Sequence, residues 1–289
     1  MRNESGGLRR YAKDFLKSRT ALAGFVILIS VLAMALFAPL LAPYRPDAMN
    51  IAERLTPPFT AKGSGFHLLG TDALGRDILS RLIYGARISL LIGVTSVLVG
   101  GTAGVFLGLV SGFKGGVWDN LIMRIVDIQM AVPFLVLALA VIAVLGNGLL
   151  NVILVMGITS WTMYARTVRA EVLSLKEQDF VQMARVVGVP EWKIVLRHVL
   201  PNVSSSIIVI GALQVARMIL FEASLSFLGL GVPPSIPTWG AMVADGRNYV
   251  GNAWWISTIP GLMIFLTVIG INLIGNRLRD QLDPRLASR

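Results

Sequence analysis

RTVRAEVLSLKEQDFVQMARVVGVPEWKIVLRHVLP, residues 166–201, is a polar, charged island between two long apolar runs. Within it Phe180, Met183, Ala184 and Val187 fall at i, i+3, i+4 and i+7, one face of a helix. Gln178, Gln182 and Arg185 lie largely off that face. Gly188 then interrupts the pattern and Pro190 follows two residues later. A glycine can close a helix in the left-handed conformation, and a proline suits the start of the next one. The second helix would carry Trp192, Val195, Leu196 and Val199 before Pro201 opens the next apolar run. The spacing predicts a short helix, a glycine turn and a second short helix, held against a membrane at both ends. A plain connector between two spans is far shorter and has no amphipathic period. An exposed apolar stripe on such a loop calls for a partner protein.

The membrane follows from composition. Of 289 residues 55% are hydrophobic and 15% charged, where a soluble domain carries about 25% charged residues. With no cysteine, neither disulfides nor a thiolate metal site arises. A net charge of +10 reads as lysines and arginines gathered in cytoplasmic loops, and not as a nucleic-acid surface.

Residues 1–20 form a basic tail. Ala21 to Ala42 carries no charge over 22 residues, enough to cross a core of about 30 Å and longer than the apolar part of a signal peptide, about 7–15 residues. Residues 43–87, with Pro43, Pro46, Pro57 and Pro58, read as an external segment. Residues 88–276 hold five more spans, near 88–111, 121–145, 149–164, 202–223 and 256–275, and 277–289 form a second tail. Of the 26 Lys and Arg, 18 fall in segments that six spans with both termini inside place in the cytoplasm, and 7 fall outside. The expected architecture is therefore all-α and polytopic, six membrane helices with a cytoplasmic helix-turn-helix loop.

Within the spans, Gly100, Gly104, Gly108 and Gly112 stand four apart, a smooth stripe for close helix packing. Arg124 and Asp127 share a face near the cytoplasmic end and suggest a local pair or snorkelling. Arg217 lies about three-quarters of the way across the fifth span, where a charge usually faces a bundle interior or a water-filled path. Glu222 falls near the outer interface, where snorkelling is the competing reading. Both are candidates for the translocation path or its gate. The loop 232–255, with Trp239, Trp254 and Trp255, is expected on the outer membrane–water interface.

From His67 the chain reads HLLGTDALGRDILSRLIYGARISLLIG. Physically, Asp77, Arg81 and Tyr84 suggest an interfacial helix leading into the second span, with Leu-Gly-Thr-Asp a turn and cap. As a string, H-x-L-G-T-D-x-x-G-R-D followed by S-R and G-x-R-x-S-L, it resembles the C-type permease subunits of bacterial ABC importers of the dipeptide, oligopeptide and nickel group. His67, Leu69, Gly70, Thr71, Asp72, Gly75, Arg76, Asp77, Ser80, Arg81, Gly85, Arg87, Ser89 and Leu90 carry the match. Glu222 to Gly231, Pro237 to Gly240 and the tail from Leu278 are similar to the same family, which commonly has Asp where Asn276 stands. The island resembles the family's EAA loop: Gln182, Met183 and Ala184, then Gly188, then His198, Leu200 and Pro201 stand at its offsets, with Gln and Met replacing Glu and Ala.

That resemblance implies a type I importer permease of the inner membrane working by alternating access. Its partners would be a homologous second permease, two ATPase subunits docked on the island, an extracytoplasmic substrate-binding protein, and membrane lipid. Peptides are the implied substrate, with nickel chelates or glutathione as alternatives. The residues themselves add that no G-x-x-x-x-G-K-[ST] string exists to hold ATP. ATP and Mg would be used by the partner subunits, with no cofactor bound by this chain and no enzyme activity of its own. Neither histidine, His67 or His198, belongs to a spaced metal cluster. A secondary transporter or channel, the competing class, would show paired acidic or histidine residues deep in several spans; here the apolar spans show mainly Arg217.

Overall fold

A computed structural model describes residues 18–62 and 65–282; most of both tails lies outside them. Helix α1, Arg19–Leu36, starts where Ser18 Oγ accepts the amide of Ala21. After Phe37 the short α2, Ala38–Leu41, continues with a proline in its first turn. The segment that follows contains a 3₁₀ turn, Ile51–Glu53, and an antiparallel hairpin, β1 (Thr60–Lys62) and β2 (Gly65–His67), with Thr60 opposite His67. The remaining helices are α3 (Ile78–Lys114), α4 (Gly116–Ala131), α5 (Phe134–Leu145), α6 (Leu149–Leu175), α7 (Asp179–Val186), α8 (Glu191–Ile194), α9 (Leu200–Phe227), α10 (Trp239–Gly246) and α11 (Trp255–Leu282).

Five helices are long and apolar enough to cross a membrane, and six spans result if α4 and α5 count as one. Those two meet at a bend of 93°, so the third span is not the straight rod expected over 121–145. The cause is Pro133, which has no amide hydrogen and pushes Val132 out of the helical region; Val132 takes φ −89°, ψ 123°. Two other expected boundaries disappear. The interfacial helix and the second span are one helix, α3, and the run from Glu191 to Phe227 is also continuous, so the island's second helix is the start of the fifth span. That continuity survives Pro201 because the turn before it, Val195–Val199, is a π-turn in which the Leu200 amide reaches back to Val195. Widening that turn gives the proline ring room where an α-helix would clash.

The pairing expected between Arg124 and Asp127 is also replaced. Asp127 accepts from Arg166 of α6 at 2.7 Å, and Asp119, about two helical turns earlier, takes a two-pronged contact from Arg169. With Gln129, which donates to the Ile158 carbonyl and accepts from Trp161, these bonds lay α4 along α6.

Gly100, Gly104, Gly108 and Gly112 face α6. A methyl group on Gly108 would stand 2.8 Å from the Ala165 carbonyl oxygen, and one on Gly112 2.8 Å from Val172 Cβ. Only bare backbone allows the two helices to cross this closely. At the island end of that crossing, Leu109, Phe113, Val168, Val172, Val181 and Ile194 form one buried cluster. At the opposite, hairpin end, Ile78, Leu82, Trp239, Met242, Ile256 and Ile264 belong to another.

Candidate functional site

The island is built around Gly188. Its φ is +82°, the Gly188 amide bonds the Arg185 carbonyl, and the Val189 amide bonds Ala184 at 3.0 Å. This is a Schellman ending, which a glycine permits without strain. Pro190 then caps α8 at φ −64°, ψ 141°. The turn sorts the apolar residues onto two faces. Val181, Ile194 and Val199 are fully buried against α3 and α6, and Ala184 and Val195 are partly buried beside them. Met183 (65% exposed), Val187 (80%), Trp192 and Leu196 point away from the chain, with Phe180 and Val186 beside them. The predicted stripe is thus split, with Ala184 on the side turned to its own bundle.

The EAA-like positions have distinct local tasks. Gln182 donates from Nε2 to the Lys176 carbonyl at 2.8 Å, tying α7 to the end of α6. A glutamate could only accept, so glutamine suits this contact. The His198 ring lies 6.4 Å from Phe180, its carbonyl accepts from Asn202 at 2.6 Å, and Leu200 and Pro201 follow the π-turn.

On α9 the two candidate charges part company. Arg217 is exposed and makes no ion pair with another described residue. Glu222 is 1% exposed and neither snorkels nor lines an open face. Its Oε1 accepts from Ser226 at 2.8 Å and from Thr238 at 2.7 Å. The Thr238 hydroxyl, its hydrogen committed to Glu222, accepts the Ala241 amide at 3.1 Å and so caps α10.

The far end of α10 is held by charge. Asp72 accepts from Arg76 at 2.6 Å and from Arg81, and Asp245 of α10 accepts from both arginines at 3.2 Å. Trp239 fills the space between: its Nε1 donates to the Leu82 carbonyl at 3.0 Å, its amide donates to Ser89, and Gly85 leaves room for its ring. Cavities of about 300 and 310 Å³ lie on either side of Asp245 and Arg247. The string from His67 to Leu90 is therefore the socket of α10. Sequence reading missed Asp245 and Glu53, and gave Thr238 no role, because their partners are distant, Asp245 standing 164 and 169 positions from its arginines.

Beside this clamp, His67 sits between Asp77 Oδ1 at 2.9 Å and Glu53 Oε2 at 3.0 Å. Burial works against a positive ring, but hydrogen bonds to Glu53 and Asp77 outweigh it and hold the imidazole pKa above the ordinary histidine value.

Residues 104–288 match the family described as the binding-protein-dependent transport system inner membrane component, and residues 8–58 match the N-terminal TM domain of oligopeptide transport permease C. The chain is 44% identical over 280 residues to the di/tripeptide transport system permease protein DppC of Pseudomonas aeruginosa, covering 96% of this chain and 92% of that one. It is 45% identical over 281 residues to the glutathione transport system permease protein GsiD of Escherichia coli O6:K15:H31, covering 96% and 89%. Among solved structures, a chain of the inward-facing MetNI methionine ABC transporter superposes with a TM-score of 0.57 over 70% of this chain and 96% of that one, at 18% identity, a likeness of fold.

Proposed function

The chain belongs to the family of binding-protein-dependent transport system inner membrane components, and from that membership we propose that it is one permease subunit of an ATP-driven importer of short peptides. Its bundle forms half of the translocation path and a homologous second permease forms the other half. Two ATPase subunits dock on the island and supply ATP and Mg chemistry that this chain lacks. A substrate-binding protein delivers peptide at the hairpin end, which faces away from the cytoplasm, with both termini inside. Arg217, exposed about three-quarters of the way across its span, faces the path, since a lipid-facing charge at that depth is costly.

The observation that carries this reading is the exposed apolar face of Met183, Val187, Trp192 and Leu196 beside the Gly188 turn, in a chain with no nucleotide-binding string. Peptides are favoured because relatives named for di/tripeptides and for glutathione, itself a peptide, both align along 96% of this chain. The test is co-purification of ATPase subunits with the solubilised chain, together with uptake of labelled dipeptide and labelled glutathione. Uptake that persists without any ATPase subunit, driven by an ion gradient, would instead identify a secondary transporter.

A further inference from the structure

Both ring nitrogens of His67 face carboxylate oxygens, Nδ1 toward Asp77 and Nε2 toward Glu53. The three residues are 3%, 3% and 5% exposed, respectively. A neutral imidazole carries one N–H and can donate to one carboxylate only; its other nitrogen then turns a lone pair toward an oxygen lone pair. The arrangement is satisfied when the ring carries both protons and donates to each carboxylate.

The surroundings keep the second proton in place. Asp77 Oδ2 is occupied by the amide of Ser80 at 2.7 Å and its hydroxyl at 2.8 Å, the cap of α3. On the Glu53 side, a methyl group at Gly65 would stand 3.0 Å from His67 Nε2, so only glycine leaves that edge of the ring open. Tyr44 lies against the imidazole, ring centroids 5.0 Å apart, and its hydroxyl donates to the Phe66 carbonyl. Arg76 and Arg81 on the adjoining turns are engaged by Asp72 and Asp245. The three acid-base groups do not converge on one point, and no group of three among the described residues has metal-holding geometry. The ring lies between its partners, so a proton is the species that joins them.

We infer that Glu53, His67 and Asp77 form a proton-binding site at the hairpin end, whose proton ties the 3₁₀ turn and β2 to the first turn of α3. The tie holds while the ring keeps that proton. As pH rises through the raised pKa of His67, the ring becomes neutral, one carboxylate meets a lone pair, and the contact of Glu53 and His67 with the first turn of α3 loosens. Because the site lies in the extramembrane segment, the pH it reads is that of the medium on the hairpin side.

Hydrogen exchange by mass spectrometry on the assembled transporter in nanodiscs tests this, with exchange times corrected for the intrinsic effect of pH. In wild type, amides of residues 53–62 and 65–78 should lose about tenfold or more protection between about pH 6 and about pH 9, while amides in the middle of α6 keep theirs. In Glu53→Gln the side-chain amide donates to Nε2 and the ring donates from Nδ1 to Asp77, so no extra proton is needed and protection should stay constant across that range. His67→Gln removes the titrating ring and should also be insensitive to pH; it serves if Glu53→Gln does not assemble. Equal protection of wild type at both pH values, or the wild-type loss persisting in either variant, overturns the proposal.

Discussion

Met183 and Val187 point outward from α7 while Ala184, one position from Met183, packs against the chain's own bundle, and this divides two substitutions that the sequence alone treats alike. Met183→Arg places an uncompensated charge where an apolar partner surface would sit. It should leave the bundle folded and reduce co-purified ATPase subunits by about tenfold or more, about 1.4 kcal/mol. Ala184→Arg presses the same charge into the subunit itself and should lower its thermal stability as well. Undiminished ATPase recovery and peptide uptake for Met183→Arg would show that this face docks nothing. Arg217→Gln removes a cation with no partner inside the described chain, so the complex should assemble and melt normally with transport slowed; normal uptake would make the residue a bystander. Glu222→Ala strips Ser226 and Thr238 of their acceptor and loosens the cap of α10, at about 1–3 kcal/mol for buried hydroxyls left unpaired, read as a lower Tm. The depth of Arg217 was legible because position along a span can be counted. The anchoring role of Glu222 was not, because its second partner lies sixteen residues on, across a turn whose geometry no local pattern encodes.

Gly188 shows what an element ending demands. A methyl group there would meet nothing within 4 Å, but the backbone sits at φ +82°, so the cost of Gly188→Val is conformational, about 1–2 kcal/mol or more for a β-branched residue in the left-handed region. The expected outcome is a folded bundle with α8 misaimed, retaining some ATPase binding while hydrolysis no longer drives uptake. Gly104→Leu should act oppositely. Its side chain would drive into the backbone of Trp161 and force α3 from α6, costing about 1–3 kcal/mol and lowering yield and Tm before any effect on coupling. Periodicity and punctuation made these elements legible: the four-residue glycine spacing, the stripe around Met183 and the Gly-x-Pro turn each act within one or two turns of chain. The bend at Pro133 was written in the sequence yet submerged in an apolar run, since hydropathy measures transfer and is blind to direction. The hairpin has three-residue strands, too short to show alternation, and is fixed by His67 reaching Glu53 and Asp77.

For the molecule as a whole, orientation is the first matter to test. Cysteines placed at Ala61, Ser235 and Ser174 would all be accessible, since each position is exposed. An impermeant maleimide should label the first two in intact cells and the third only after permeabilisation; labelling of Ser174 alone would invert the topology. The second matter is what two long helices do together. α3 and the run from Glu191 to Phe227 are each 37 residues long, about 55 Å at ~1.5 Å per residue, nearly twice a hydrocarbon core of about 30 Å. One starts in the charged socket of α10 and ends under Val181; the other starts beside Trp192 and ends by the cap of α10. A rod of fixed length with a grip at each end behaves as a lever: tilting it by ~10° swings the far tip by roughly 10 Å without stretching a single backbone bond. A push on the island would become a sideways sweep at the opposite face, and the π-turn at Val195–Val199 sits where such a lever would have its wrist.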